Sequence, residues 1–129
     1  MVSRILVIDD EPDIRQVLRI VLRKEGYEVL CAGSGQDGLD LLAAQQVDLV
    51  MLDIIMPEMD GWEVCRRLRD NPATRHLPIL IVTGDRNVRV HLVQNMLANA
   101  FLLKPFQWLD LLRLVRELLP DHDNDAAIS

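Results

Sequence analysis

RILVIDDEPDIRQVLRIVL (4–22) holds the architecture in miniature. Its opening run of branched apolar residues, short and closed by acids, reads as a strand buried on both faces. From Pro12 the period changes. Ile14, Val17, Leu18, Val21 and Leu22 recur at i, i+3, i+4, i+7 and i+8, which is one face of a helix. Pro12 suits the first turn of that helix, and Gly26 suits its end.

The alternation continues along the chain. YEVLC (27–31), VDLVML (47–52), PILIV (78–82) and AFLL (100–103) read as strands. Helices are expected near 35–45, after Gly61, near 86–97, and from about Phe106 to Leu119. The pattern is (βα)5, an α/β fold in which a five-stranded parallel sheet is doubly wound by helices on both faces. Such a sheet gathers its functional groups at the carboxyl ends of its strands, at the topological switch point.

Bulk properties narrow the classes of function. The 129 residues are half apolar, enough for the core of one domain over 1–120. The remainder, 121–129, is polar and acidic and reads as a frayed end or the start of a linker. A formal charge of -6 disfavours non-specific binding to nucleic acid and to anionic membranes. No apolar run approaches the roughly 20 residues of a membrane span, and MVSRILVIDD lacks the pattern of a signal peptide. A cytoplasmic protein is expected. Cys31 and Cys65 have no metal-like spacing and read as small buried hydrophobes. His76, His91 and His122 are scattered, without partners at ligand spacing.

The strand ends bring the chemistry together. Asp9 and Asp10 follow the first strand, Asp53 the third, Thr83 the fourth and Lys104 the fifth. Crowded carboxylates must protonate or be held by a cation, and hard oxygen donors suit Mg²⁺, which accepts substrate phosphate oxygens. A single aspartate at a strand end is ordinarily a helix cap; a set of five polar residues on one edge is not. Twelve arginines accompany only two lysines, Lys24 and Lys104, so a lysine at 104 suggests a compact ammonium reaching an anion. Pro105 is a candidate for a cis bond that fixes how that side chain enters the site.

With ILVIDDEPDIR (5–15), DLVMLDIIMPEMDGWEV (48–64), PILIVTG (78–84) and FLLKPF (101–106), the chain resembles the CheY-like response-regulator receiver domains of two-component signalling, from residue 4 to about 119. The resemblance implies a flavodoxin-like sheet of order 2-1-3-4-5. It also implies Asp53 as phospho-acceptor, with Asp10, Asp53 and the Ile55 backbone carbonyl as direct Mg²⁺ ligands and Asp9 as a ligand through water. Thr83 and Lys104 would bind phosphoryl oxygens. The donor would be a phosphohistidine on a sensor histidine kinase or phosphotransfer protein, with Thr83 and Phe101 as the switch. Such a domain promotes its own phosphorylation and dephosphorylation and turns over no metabolite.

Two further expectations concern output. Trp108, Leu111, Leu112, Leu114, Val115, Leu118 and Leu119 span an arc of about 160° on the last helix, wider than an ordinary amphipathic stripe. With Val88, Val90, Leu92, Val93, Met96 and Leu97 on the preceding helix, this suggests either docking of a second protomer or target, or plain core packing. The family pattern is departed from at Leu97, where a glycine is usual, at Ala100, where an acid is common, and at apolar Ile55. An aspartyl phosphohydrolase of the haloacid-dehalogenase type would carry an acid two residues after its nucleophile; Ile55 stands there after Asp53, and Glu11, two after Asp9, lacks the Thr or Val expected beyond it. A binding module that no longer accepts phosphate would be expected to have lost part of the five-residue set.

Overall fold

The computed structural model describes residues 2–95 and 97–119, excepting the side chains of 92–95. The expected tail at 121–129, His122, Met96 and the side chains of Leu92 and Val93 lie outside that description. In chain order the elements are β1 (Arg4–Ile8), α1 (Pro12–Lys24), β2 (Glu28–Ala32), α2 (Gly35–Ala44) and β3 (Leu49–Leu52). They continue with α3 (Gly61–Asp70), β4 (Ile79–Thr83), α4 (Val88–Asn95), β5 (Ala100–Leu103) and α5 (Trp108–Leu118). The strands pair in parallel in the order β2-β1-β3-β4-β5, the doubly wound sheet expected.

Strand side chains alternate between two cores. Ile5, Val7, Leu49, Met51, Leu80 and Val82 meet α1 and α5. Leu6, Ile8, Val50, Leu52, Ile79 and Ile81 face the side of α2, α3 and α4. Both faces are therefore covered, which explains why the strands read as unbroken apolar runs.

The strand boundaries that shifted have identifiable causes. Tyr27 belongs to the end of α1, not to β2. Its N–H bonds the Leu22 carbonyl at 3.2 Å and the Gly26 N–H bonds that of Arg23 at 3.0 Å, with Gly26 at φ 94°. This is a Schellman motif, sealed by contact between buried Tyr27 and Leu22. β3 begins at Leu49 rather than Val47 because Asp48 closes on Arg4, whose N–H its carboxylate accepts at 2.7 Å. Pro78 has no N–H to offer, so β4 starts one residue later, though the Pro78 carbonyl still accepts the Val50 N–H. An Asx turn at Asp85, accepting the Asn87 N–H at 3.0 Å, delays α4 to Val88.

The apolar arc of α5 is mainly core. Leu111, Leu112, Val115 and Leu119 are buried, and Leu114 and Leu118 pack against them. What remains outside is Trp108 at 40% and Leu109 at 77% exposure, together with Val90 of α4 at 55%. Cys65 is enclosed, and burial pushes its thiol up to about 12; Cys31 is only half-buried.

The turn before β5 is held by a guanidinium. Arg69 of α3 donates to the carbonyls of Leu97 at 2.8 Å, Arg75 at 2.8 Å and Leu77 at 2.6 Å. It also donates to the Asn99 side-chain oxygen at 2.9 Å, which in turn accepts the Ile79 N–H at 2.8 Å. These bonds fix the turn despite Leu97 and Ala100. Truncating Arg69 leaves part-buried carbonyls unpaired, so Arg69→Ala is expected to lower stability by about 2 kcal/mol in urea unfolding. Its effect should be strongly non-additive with Asn99→Ala. A loss below about 0.5 kcal/mol would show that the turn holds itself.

Candidate functional site

Sheet register sets the site before any side chain is considered. Ile8 pairs with Ala32 and Leu52, and Thr83 pairs with Leu103. Asp9, Asp53 and Lys104 each stand one residue beyond those pairs, where the strands stop and the side chains turn to the carboxyl edge. Main-chain bonds continue that far: Asp9 N–H to Ala32, Asp53 N–H to Ile8, and Lys104 N–H to Thr83.

Asp9 and Asp53 are built alike. Each is an Asx turn in which Oδ1 accepts the N–H two residues on, Glu11 at 2.9 Å and Ile55 at 3.0 Å. Each then presents Oδ2 to Lys104, whose Nζ donates at 2.9 Å to Asp9 and 3.0 Å to Asp53. Both carboxylates are almost fully buried, at 3% and 5% exposure, so they need a cation there. Burial pulls the Lys104 ammonium down, but its bonds to Asp9 and Asp53 and their charges outweigh this and hold its pKa above the ordinary value. A raised lysine pKa stabilises the fold below the unfolded value near ~10.4, and the gain is lost as pH climbs through the folded value. Lys104 is therefore an ammonium at neutral pH.

Asp10 and Glu11 complete an acidic group in which one oxygen from each of Asp9, Asp10, Glu11 and Asp53 lies within 4.8 Å of the others. Oxygens on opposite sides of one Mg²⁺ are about 4.2 Å apart, so this donor set fits the ion with a contraction of tenths of an ångström or one bridging water. Glu11 is the member that the expected metal set did not include. Its carboxylate also lies 3.8 Å from Lys104 Nζ. The signal was present in the third acid of DDE, but the path of the loop decides where that acid points.

The other expected residues surround this group. Thr83 is fully buried, and its hydroxyl accepts the Asp85 N–H at 3.3 Å. It is not hydrogen-bonded to the acids in this geometry. The Lys104–Pro105 bond is cis. Ile55 is 60% exposed, with only its N–H engaged with Asp53. Phe101 is half-buried, and the Arg89 guanidinium lies 5.5 Å from its ring centroid.

The loop after Asp53 is tightly constrained. Glu58 takes φ 67°, and the Met59 N–H bonds the Pro57 carbonyl at 2.8 Å, a γ-turn of the rare positive-φ form. Gly61 then closes against the backbone it came from. Its N–H bonds the Ile54 carbonyl at 2.9 Å, and a Cβ there would fall 2.5 Å from the Asp53 carbonyl oxygen and 2.7 Å from Ile54 Cα. Those neighbours are main chain and cannot swing away.

Five parallel strands with acids on two adjacent strand ends and a lysine on the last make a lysine-bridged acidic site at the carboxyl edge of the sheet. Residues 5–116 match the response regulator receiver domain, and the chain belongs to that family. Similar solved structures include the response regulator TrrA from Thermotoga maritima, in complex with Mg²⁺–BeF. It is 35% identical, with a TM-score of 0.83 over 90% of this chain and 98% of that one. The chemotaxis protein CheY4 of Vibrio cholerae is 28% identical, with a TM-score of 0.84 over 92% and 99%. The receiver domain of a signal transduction histidine kinase from Syntrophus aciditrophicus is 29% identical, with a TM-score of 0.85 over 95% and 93%.

Two outcomes follow from the geometry. Lys104→Met strands two buried carboxylates and is expected to cost about 3 kcal/mol of stability in metal-free buffer, a loss that added Mg²⁺ reduces. Stability unchanged in urea unfolding would mean that the bridge contributes nothing. Gly61→Ala should cost about 1–3 kcal/mol by forcing the Asp53 loop outward, measured in the same way.

Proposed function

We propose that this chain is the phospho-accepting receiver of a response regulator, taking a phosphoryl group from a sensor-kinase or phosphotransfer-protein phosphohistidine onto Asp53. The observation that carries the reading is the Asp9–Lys104–Asp53 bridge at the carboxyl edge of the sheet, beside Asp10 and Glu11. TrrA in complex with Mg²⁺–BeF supports a divalent cation and a phosphoryl-like group at this site as well.

In the proposed step an Asp53 carboxylate oxygen attacks phosphorus in line. The phosphorus–nitrogen bond to the donor histidine breaks, an oxygen–phosphorus bond forms, and the imidazole leaves with the electron pair. Lys104 exchanges its bond to Asp53 for one to a phosphoryl oxygen, remaining on Asp9. Asp9, Asp10, Glu11, Asp53 and the Ile55 carbonyl are the residues that would hold Mg²⁺. When bound, the ion supplies positive charge opposite the phosphoryl oxygens, so positioning and electrostatics dominate the catalysis. Thr83 would release Asp85 to donate its hydroxyl to a phosphoryl oxygen. Water later cleaves the acyl phosphate, returning the Asp53 carboxylate and inorganic phosphate.

The output would follow from that threonine movement. Phe101, under Arg89, would turn inward behind Thr83, and α4, β5 and α5 would present a changed surface. Val90, Trp108 and Leu109 supply apolar area there for a second protomer or a target. Among the described residues no helix is long and apolar enough to cross a membrane. With a net charge of -6, a cytoplasmic role without nucleic-acid contact fits best.

Incubation with acetyl phosphate and Mg²⁺ is expected to add one phosphoryl mass to the wild type and none to Asp53→Asn. An unchanged wild-type mass would sink the receiver reading. The same preparation should not turn over a chromogenic phosphate ester, as a phosphohydrolase would. Apolar Ile55 should slow the attacking water, so Ile55→Asn is expected to dephosphorylate faster; an equal or slower rate would rule that role out.

A further inference from the structure

Beneath the acid loop lies a half-buried arginine that no step above uses. Arg15 of α1 donates from Nη1 to the main-chain carbonyl of Asp9 at 2.7 Å. The Asp9 N–H is already taken by Ala32 at 3.1 Å, so both ends of this residue's main chain are pinned. A second observation shows why an arginine fits here. A Cβ on Gly33 would lie 3.1 Å from Nη1, 3.5 Å from Cζ and 3.6 Å from Nη2, so the planar guanidinium lies against the bare Cα of Gly33. Gly33 has no positive φ demanding glycine, so the open slot accounts for the residue type. The Cys31 thiol also donates to the Arg15 carbonyl, at 3.9 Å.

The position of the bond gives it leverage. The Asp9 carbonyl belongs to the peptide leading into Asp10 and Glu11, and rotating that peptide would swing both acids. Among the described residues no carboxylate pairs with Arg15 within ion-pair distance, and the bond its guanidinium makes is the one from Nη1 to the Asp9 carbonyl. Lysine could reach the carbonyl but could not fill a flat slot.

We propose that Arg15, seated in the slot left by Gly33, is a positioning residue that orients the Asp9–Asp10–Glu11 loop for a divalent cation. This rests on the receiver reading of the acid cluster. Outer groups that orient metal ligands are typically worth about 10–100-fold in metal affinity or activity; Arg15 touches neither the phosphoryl group nor Asp53, so its effect is expected on affinity.

The test is Mg²⁺ titration by calorimetry on the wild type, Arg15→Met, Arg15→Lys, Gly33→Val and the Arg15→Met/Gly33→Val double variant, each shown to be folded by thermal melting. Arg15→Met and Gly33→Val should each weaken Mg²⁺ binding about tenfold. Arg15→Lys should recover part of the loss. The double variant should be no worse than the weaker single, because both remove one contact. At saturating Mg²⁺, phosphorylation of Asp53 by acetyl phosphate should stay within about twofold of the wild type. Wild-type affinity in folded Arg15→Met, additive losses in the double variant, or a fall in the saturated rate alone would overturn the proposal. A wild type that binds no Mg²⁺ would overturn the receiver reading with it, an outcome the variants alone cannot produce.

Discussion

Two almost fully buried carboxylates on adjacent strands cannot both stay charged without a cation between them, and Lys104 is that cation. Much else in the domain serves this constraint. Parallel pairing of β1 with β3 sets Asp9 beside Asp53, and pairing of β4 with β5 delivers Lys104 to the same edge. The two Asx turns occupy one oxygen of each carboxylate and leave the other for the ammonium. One ammonium offsets only part of the charge of this acid group, so the site stays anionic, with its cation on a flexible stem.

Rigidity around the bridge comes from glycines whose neighbours leave no room for a side chain. Gly61 sits against the main chain of Asp53 and Ile54, and a Cβ on Gly38 would meet Ile8 Cδ1, one residue before Asp9, at 2.4 Å. The first fixes the loop after Asp53 and the second seats α2 on the end of β1. Arg69 performs a comparable service for the turn entering β5 through three main-chain carbonyls. The moving parts of the proposed switch lie elsewhere, at the Thr83 hydroxyl and the Phe101 ring.

The fold was legible because two signals coincided. Strands buried on both faces are unbroken apolar runs, and helices between them change the period to one in which Ile14, Leu18 and Leu22 share a face. Boundaries failed where a single residue intervened: Tyr27 in a helix cap, Asp48 closing on Arg4, Pro78 lacking an N–H. The acid set was legible because strand ends can be counted, which places Asp9, Asp10, Asp53 and Lys104 together without knowledge of packing. Glu11, Arg15 and Gly33 were not, since their roles depend on a loop's path and on proximity between residues far apart in sequence. The α5 arc misled in part for a related reason. A helical wheel measures how much of a helix is apolar, not how much the sheet covers, and Leu109, the most exposed of its leucines, lay outside the arc.

Under the proposed function the phosphoryl group is carried by Asp53 and by neither of the acids beside it. Borohydride reduction of the phosphorylated chain converts an aspartyl phosphate to homoserine and leaves free aspartate untouched. Peptide mapping is predicted to find homoserine at position 53 and aspartate at positions 9 and 10. Homoserine at Asp9 or Asp10, or aspartate at all three positions in a chain that had gained phosphate, would exclude Asp53 as the acceptor.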